Sequence, residues 1–378
     1  MKKYSLVVTG NYLNHYELAL SKELMEFFKE FHFIVGEKLP EDRKKLGFSD
    51  MNDLDFVVKA YEDKELARKL ILDADVVITG SYRYESHINE RLKQGKIVFF
   101  DSERLFKYSP ILNCGSALRN IIRHRYAKKA NLLCISAYSA GDYNKINLFK
   151  NRTYKWGYFT EAIKYDDING LISSKKENSL IWVGRLIEWK HPEYVVEVVK
   201  RLKEEGYNFE ANIIGVGEMK DDLSNLIKEN KLENSVHMLG SMPPEKVREK
   251  MEEAQIYLFT SDRGEGFGVV LNEAMNSGCA CVASYSTGST PFLVKDGKNG
   301  LIYKNDDVDE LYKNVKYLLD NKQRVDEIGK EAYNSIVSIW NPHEAAKRFY
   351  SIAEQMMENG EITKTFDEDI LSIAKPIE

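Results

Sequence analysis

The chain has 378 residues, 43% apolar and 30% charged, which suits a folded protein of two domains with a core each. A net charge of −5 argues against general nucleic-acid binding, and no run of about 18 apolar residues offers a membrane span. The four cysteines, Cys114, Cys134, Cys279 and Cys281, form no paired framework, which points to a reduced, cytoplasmic protein.

Taken in chain order, the opening MKKYSLVVTGNY is too short in apolar length for a signal peptide and reads as a first strand. The runs SLVVTG, DVVITG, KIVFFD and NLLCIS follow one another through the first 140 residues. SLIWVG, FEANIIG, IYLFTS and CACVAS do the same between 179 and 284, so Cys279 and Cys281 are expected in a buried strand, not at a metal. Amphipathic stretches separate the runs. In HPEYVVEVVKRL, Tyr194, Val195, Val198, Val199 and Leu202 share one helical face, with Pro192 at the first turn. Alternation of this kind predicts an α/β protein with two doubly wound, Rossmann-like domains. The polar segment 166–179 is the expected boundary, and the chain beyond about residue 358 is expected to form a weakly ordered polar tail.

Ligands of open α/β sheets sit at the carboxyl ends of strands, and a cleft between two such sheets is the default site. The loops that matter are then 10–15, 101–103, 184–190, 215–218 and 261–268. In EGFGVVLNEAMNSG (265–278), a Gly-Phe-Gly turn separates Glu265 from a helix expected to start near Gly268, with Glu273 about two turns inside. Free N–H groups at such a helix start suit phosphate, and the glycines allow close backbone approach. A carboxylate accepts two hydrogen bonds from a vicinal diol. The layout predicts a nucleotide sugar, with Glu273 on the ribose and Glu265 on the sugar. In VGRLIEWKHPE (183–193), Arg185 and Lys190 follow a strand ending at Gly184, and two fixed cations there neutralise a departing diphosphate. Salt bridging with Glu188 is the plainer alternative.

A last feature is electrostatic. From Arg104 to Gly141 there is no acidic residue but seven basic ones: Arg104, Lys107, Arg119, Arg123, Arg125, Lys128 and Lys129. The last five are candidates for docking on an anionic membrane surface, and a solvated helix face is the alternative.

The set GRLIEWK, NIIGVGE (212–218), EGFGVVLNE and DGKNGLIY (296–303), in this order, resembles family 4 of the retaining glycosyltransferases. The resemblance covers 178–345. It implies the GT-B fold: an acceptor domain over 1–168, a nucleotide-sugar donor domain over 178–340, and a return helix over 341–357 packing on the first domain. It implies that Arg185 and Lys190 hold the diphosphate and that Glu265 meets the sugar hydroxyls. Gly266, Phe267 and Gly268 then frame the sugar, Val269 and Val270 offer N–H groups to phosphate, and Glu273 binds ribose. Gly215, Gly217 and Met242 lie where the family holds the base.

TGNYLNHYELAL, SERLFK and WGYF are similar to exopolysaccharide and capsule glycosyltransferases of the family. Gly10 stands alone where members often carry two glycines, and Phe292 follows Pro291 where many carry Glu. His15 and Glu103 are the acceptor-side candidates, with pairing of Glu103 to Arg104 or Lys107 as its alternative. The implied reaction is retaining transfer from a UDP- or GDP-type donor to a glycan or polyprenyl-diphosphate-linked acceptor. It needs no metal or cofactor: the Asp-x-Asp pairs 53/55, 73/75, 307/309 and 367/369 do not end strands. A nucleotide-sugar epimerase of this fold and a non-catalytic nucleotide-sugar-binding subunit are the rivals. A dehydrogenase is disfavoured, since no G-x-G-x-x-G follows a strand.

Overall fold

The structure, a computed structural model, describes residues 2–41, 50–107, 114–304 and 307–377. The chain divides into two compact units, one of Met1–Glu161 with Ile339–Glu378 and one of Ala162–Ser338.

In the first unit the described strands are β1 (Ser5–Gly10), β2 (Glu30–Val35), β3 (Val57–Lys59), β4 (Val76–Thr79), β5 (Val98–Ser102), β6 (Asn131–Cys134) and β7 (Thr153–Lys155). They form one parallel sheet in the order β3-β2-β1-β4-β5-β6-β7. Four were legible as apolar runs. β2, β3 and β7 were not, since they are short or broken by polar residues, as in EFHFIV. The helix Pro342–Asn359 belongs to this unit. Asn341 caps it by accepting from the Glu344 N–H at 2.9 Å. Its Phe349 is fully buried against Phe28, Phe99 and Trp156, at ring separations of 6.1, 5.1 and 5.9 Å.

The segment after that helix corrects the expected weakly ordered tail. Ile370, Leu371 and Ala374 are buried, and Ile373 forms an antiparallel bridge with Tyr154 of β7. Leu371 and Ala374 donate to the carbonyls of Lys155 and Thr153 at 2.8 and 2.9 Å, and Lys155 donates to Ser372 at 2.9 Å. An edge strand left open exposes unpaired backbone groups, and the apolar residues of DILSIA cover this one.

The second unit starts at Ala162, earlier than the polar segment 166–179 suggested. That segment folds, because Asp167 caps the helix Ile168–Ser174 by accepting from the Gly170 N–H at 2.8 Å. Then come β8 (Lys176–Val183), β9 (Glu210–Ile214), β10 (Val236–Gly240), β11 (Ala254–Phe259), β12 (Ala280–Ser284) and β13 (Leu301–Tyr303). They form a parallel sheet in the order β10-β9-β8-β11-β12-β13. Every residue of β11 and β12 is buried, as expected of central strands covered on both faces, and Cys279 and Cys281 are buried with them. The helix Glu193–Glu204 buries Val195, Val196, Val198, Val199 and Leu202 against this sheet, while Tyr194 is half-buried. The strand order reverses between β8 and β11, and the carboxyl ends of these strands at such a switch point are where open α/β sheets bind ligands.

Candidate functional site

The candidate site of the second unit is built from the two loops at that switch point. The loop after β8 runs from Gly184 into a single turn of 3₁₀ helix, Glu188–Lys190. The loop after β11 runs through Ser261, Asp262 and the Gly-Phe-Gly turn into the helix Val270–Asn276. A relay of hydrogen bonds joins them: Trp182 Nε1 donates to Thr260 Oγ1 at 2.7 Å, and Thr260 Oγ1 donates to the Lys190 carbonyl at 2.6 Å. The Asp262 N–H donates to the Trp189 carbonyl at 2.9 Å.

These contacts bring Lys190 and Glu265 together. Lys190 Nζ lies 2.5 Å from Glu265 Oε2, and both side chains are only 12% exposed. Ser261 Oγ donates to the same carboxylate oxygen at 3.2 Å. Two residues assigned to different parts of a ligand are thus each other's counter-ion. An ion pair this shielded is balanced, and loss of either member strands the other. Arg185 is exposed, with its guanidinium 5.5 Å from the Trp189 ring centroid, and Lys190 stands 4.9 Å from the same ring.

Close backbone approach explains the glycines. A Cβ on Gly215, whose φ is 145°, would lie 1.8 Å from the Gly184 carbonyl oxygen, and one on Gly217 would lie 2.2 Å from that of Leu186. The loops after β8 and β9 therefore touch main chain to main chain, with Leu186 donating to the Val216 carbonyl at 2.9 Å. Met242 is half-buried just after β10. Gly268 has φ 90°, a conformation that few residues other than glycine adopt, and a Cβ there would meet the Phe259 ring at 2.2 Å. Gly266 and Phe267 are buried, and the Phe267 carbonyl accepts from the Ser289 N–H at 3.0 Å.

The helix starts later than the sequence suggested. Val269 is its N-cap, Val270 its first residue, and Glu273 lies in its first turn, not two turns inside. Positive φ at Gly268 delays entry into helical geometry, which moves Glu273 closer to the helix start. Burial raises the Glu273 pKa, and the charge of Arg248 opposes the shift. Arg248 Nη1 donates to the Glu273 carbonyl at 3.2 Å, to Asn276 Oδ1 at 3.0 Å and to Ser277 Oγ at 3.2 Å, fixing the end of this short helix. Arg248 and Thr260 carried no motif of their own, so sequence reasoning missed them, and Ser261 and Asp262 fell within the loop 261–268 without a role of their own.

The first-unit candidates are less gathered. Gly10 ends β1, and His15 is the exposed first residue of the helix His15–Phe27, which Asn14 and Glu17 close with a reciprocal cap. Glu103 pairs with Lys107 and accepts from Tyr158 Oη at 3.1 Å, while Arg104 lies over the Tyr138 ring. Beside it is a pocket lined by Tyr16, Glu17, Leu20, Asp101, Trp156 and Tyr158. Burial, with the Asp101 charge adding, pushes the Glu17 pKa up to about 8, and burial pushes that of Asp101 up to about 6.

Of the five membrane-surface candidates, Arg119, Arg125, Lys128 and Lys129 are exposed. Arg123 is instead tied to the fold, donating to the Gly80 carbonyl at 2.9 Å and pairing with Glu85 at 2.9 Å. Leu118, Ile121 and Ile122 on the same helix are 58%, 43% and 50% exposed. Among the described residues no helix is long and apolar enough to cross a membrane. The Asp-x-Asp pairs have local partners: Asp53 pairs with Lys59, Asp75 accepts from Ser5, and Asp309 pairs with Arg201.

Residues 165–335 match the family model described as glycosyl transferases group 1. Among similar proteins, an uncharacterised glycosyltransferase of Methanocaldococcus jannaschii is 29% identical over 48% of this chain and 46% of its own length. The putative colanic acid biosynthesis glycosyltransferase WcaL of Salmonella typhimurium is 33% identical over 35% of this chain and 34% of its own. The amylovoran biosynthesis glycosyltransferase AmsK of Erwinia amylovora is 29% identical over 47% and 44%. The matched part is thus less than half the length of each relative. Among solved structures, Anabaena HepE in complex with UDP has a TM-score of 0.70 at 15% identity, covering 94% of this chain and 100% of its own. The lipopolysaccharide outer core galactosyltransferase WaaB has a TM-score of 0.68 at 16% identity, covering 93% and 99%. At such identities the likeness is one of fold.

Proposed function

We propose that this chain, whose residues 165–335 match the group 1 glycosyltransferase model and whose fold is that of GT-B structures, is a retaining enzyme that moves a sugar from a nucleoside diphosphate donor of UDP or GDP type. The observation that carries this reading is the Lys190–Glu265 pair, held at the β8/β11 switch point beside a glycine-lined approach. The donor diphosphate takes Lys190 as its counter-ion together with Arg185, which frees Glu265 for the sugar hydroxyls. Glu273 at the first helical turn takes the ribose. Negative charge growing on the departing diphosphate meets two fixed cations, and a preorganised donor of this kind contributes about 10²–10³ in rate. Charge neutralisation by side chains requires no metal in this scheme. The existence of a HepE complex with UDP and glucose supports a nucleotide-sugar donor.

The acceptor reading is a glycan or polyprenyl-diphosphate-linked glycan of a surface polysaccharide, and the names of WcaL and AmsK support it. Arg119, Arg125, Lys128 and Lys129, with Leu118, Ile121 and Ile122 exposed among them, form an amphipathic basic surface suited to an anionic leaflet. The protein then works in the cytoplasm, peripheral to the membrane. Flotation with vesicles that contain anionic lipid is expected to be lost when those four basic residues become Gln. Flotation that persists removes the membrane part.

The deciding experiment is a screen of UDP- and GDP-sugars, reading donor binding by saturation-transfer NMR and turnover by nucleotide release, for wild type and Glu265→Ala. Release that depends on acceptor and on Glu265, and survives EDTA, is the expected result. Binding without transfer to any glycan acceptor would favour a binding subunit. Sugar isomerisation with free nucleotide and no acceptor would favour an epimerase.

A further inference from the structure

Next to Lys190 the chain does something unusual. His191 has φ 46° and ψ 55°, the left-handed conformation, which costs a residue with a Cβ of order 1 kcal/mol or more. Such a cost persists where the surroundings hold the side chain, and here they do. His191 Nδ1 lies 2.8 Å from Glu193 Oε1, and Nε2 lies 3.6 Å from Asp262 Oδ2, an ion-pair distance too long for a hydrogen bond. The ring stacks on Tyr194 at 4.6 Å with an interplanar angle of 11°. Glu193 and Tyr194 belong to the helix after the Lys190 loop, and Asp262 belongs to the loop that carries Glu265. One imidazole therefore spans the two loops that meet at the Lys190–Glu265 pair.

We propose that His191 is a positioning residue, an ionic clamp that holds the Lys190 loop and the Asp262–Glu265 loop in register for the nucleoside diphosphate. The proposal rests on the donor reading above but concerns a residue to which that reading assigns no part of the donor. The charges that face the ring are Glu193 and Asp262, with Lys190 adjoining in sequence and Arg263 beside Asp262. Burial by itself lowers the His191 pKa, but the partnership with Asp262 and Glu193 outweighs it and carries the value up to about 9. The reciprocal effect appears on Asp262, where burial raises the pKa but His191 and the Gly264 N–H bring it below the ordinary carboxylate value. Since the folded pKa lies above the ordinary 6.5, the clamp is fully charged below that pH and is lost as pH rises through about 9.

His191→Gly tests this with little risk to folding, because glycine accepts the left-handed backbone and only the side chain goes. Asn tolerates the same backbone, so His191→Asn keeps a polar side chain without the charge. Hydrogen exchange of the unliganded protein should show residues 260–268 losing protection in both variants, and in wild type above pH 9 after correction for the intrinsic rate. UDP or GDP affinity and donor kcat/KM should fall in both variants, by up to about 10²-fold if the loops shift by an ångström, and the alkaline drop expected of wild type should vanish. Unchanged protection would overturn the clamp. Lost protection with unchanged affinity, kcat/KM and pH profile would reduce His191 to a structural residue and also overturn the proposal. If wild type binds neither UDP nor GDP, the donor reading fails, and the exchange result still decides the clamp by itself.

Discussion

The two units carry sheets of the same kind but use the ends of their strands differently. At the carboxyl edge of the second sheet, an acid and a base of opposite roles are shielded together, and the loop after β8 is locked to the loop after β11 by Thr260 and Asp262 and to the loop after β9 by main-chain contact at Gly215. At the same edge of the first sheet, Glu103 is occupied by Lys107 and Tyr158, His15 is exposed, and burial raises the pKa values of Glu17 and Asp101 in the neighbouring pocket to about 8 and about 6. A rigid site of fixed charges suits one ionic ligand. A pocket where burial disfavours carboxylate charge, beside aromatic rings, suits a less charged partner. Fixed charges at short range are where rate is gained, so the second unit should respond far more steeply to substitution.

The largest expected effect follows from that contrast. Lys190→Ala removes a diphosphate counter-ion and leaves Glu265 shielded without its partner, and kcat should fall by about 10²–10³. Glu103→Gln, at the edge of the first sheet, should lower kcat much less in the same steady-state assay. Comparable losses at both positions would erase the distinction. The next effect is on stability. Gly215→Ala drives a Cβ into the Gly184 carbonyl at 1.8 Å in a left-handed conformation, and should cost about 1–3 kcal/mol in chemical denaturation. At Gly10 the nearest atom to an added Cβ is the Phe33 ring at 3.2 Å, which can tilt, so Gly10→Ala should cost about 1 kcal/mol or less.

The smallest effect sharpens the reading of the first unit. A carboxyl whose folded pKa is raised from 4.5 to about 8 binds its proton more tightly when folded, so it favours the folded state at low pH and loses that advantage as pH rises from 4.5 to 8. Glu17→Gln should therefore raise Tm at pH 8 relative to wild type and leave it nearly unchanged at pH 4.5. A Tm difference that does not depend on pH would show that Glu17 sits as an ordinary exposed carboxylate.

Much of this was legible in the residues themselves. Eight apolar runs, the amphipathic helix with Val195 and Val199, and the loops bearing Arg185, Lys190, Glu265 and Glu273 follow from local pattern, because buried strands, helix faces and glycine turns leave periodic or compositional traces. β2, β3 and β7 left little trace, since their pairing with longer neighbours stabilises them more than their own propensity does. The terminal segment looked like a polar tail because its buried apolar residues, Ile370, Leu371 and Ala374, are few and set among polar ones, and their partner β7 lies more than 200 positions earlier.

What the sequence alone determined is the class of chemistry: alternating strands and helices, and acids, bases and glycines on loops after strands. Tertiary structure alone decided which of those groups meet. That Lys190 and Glu265 neutralise each other, that Arg123 serves the fold while Arg119 faces solvent, and that His191 faces Asp262 are all decided by approach distances between segments far apart in the chain. The reason is physical. Burial and partnership set whether a charge is free, paired or neutral, and both depend on what the fold brings within a few ångströms.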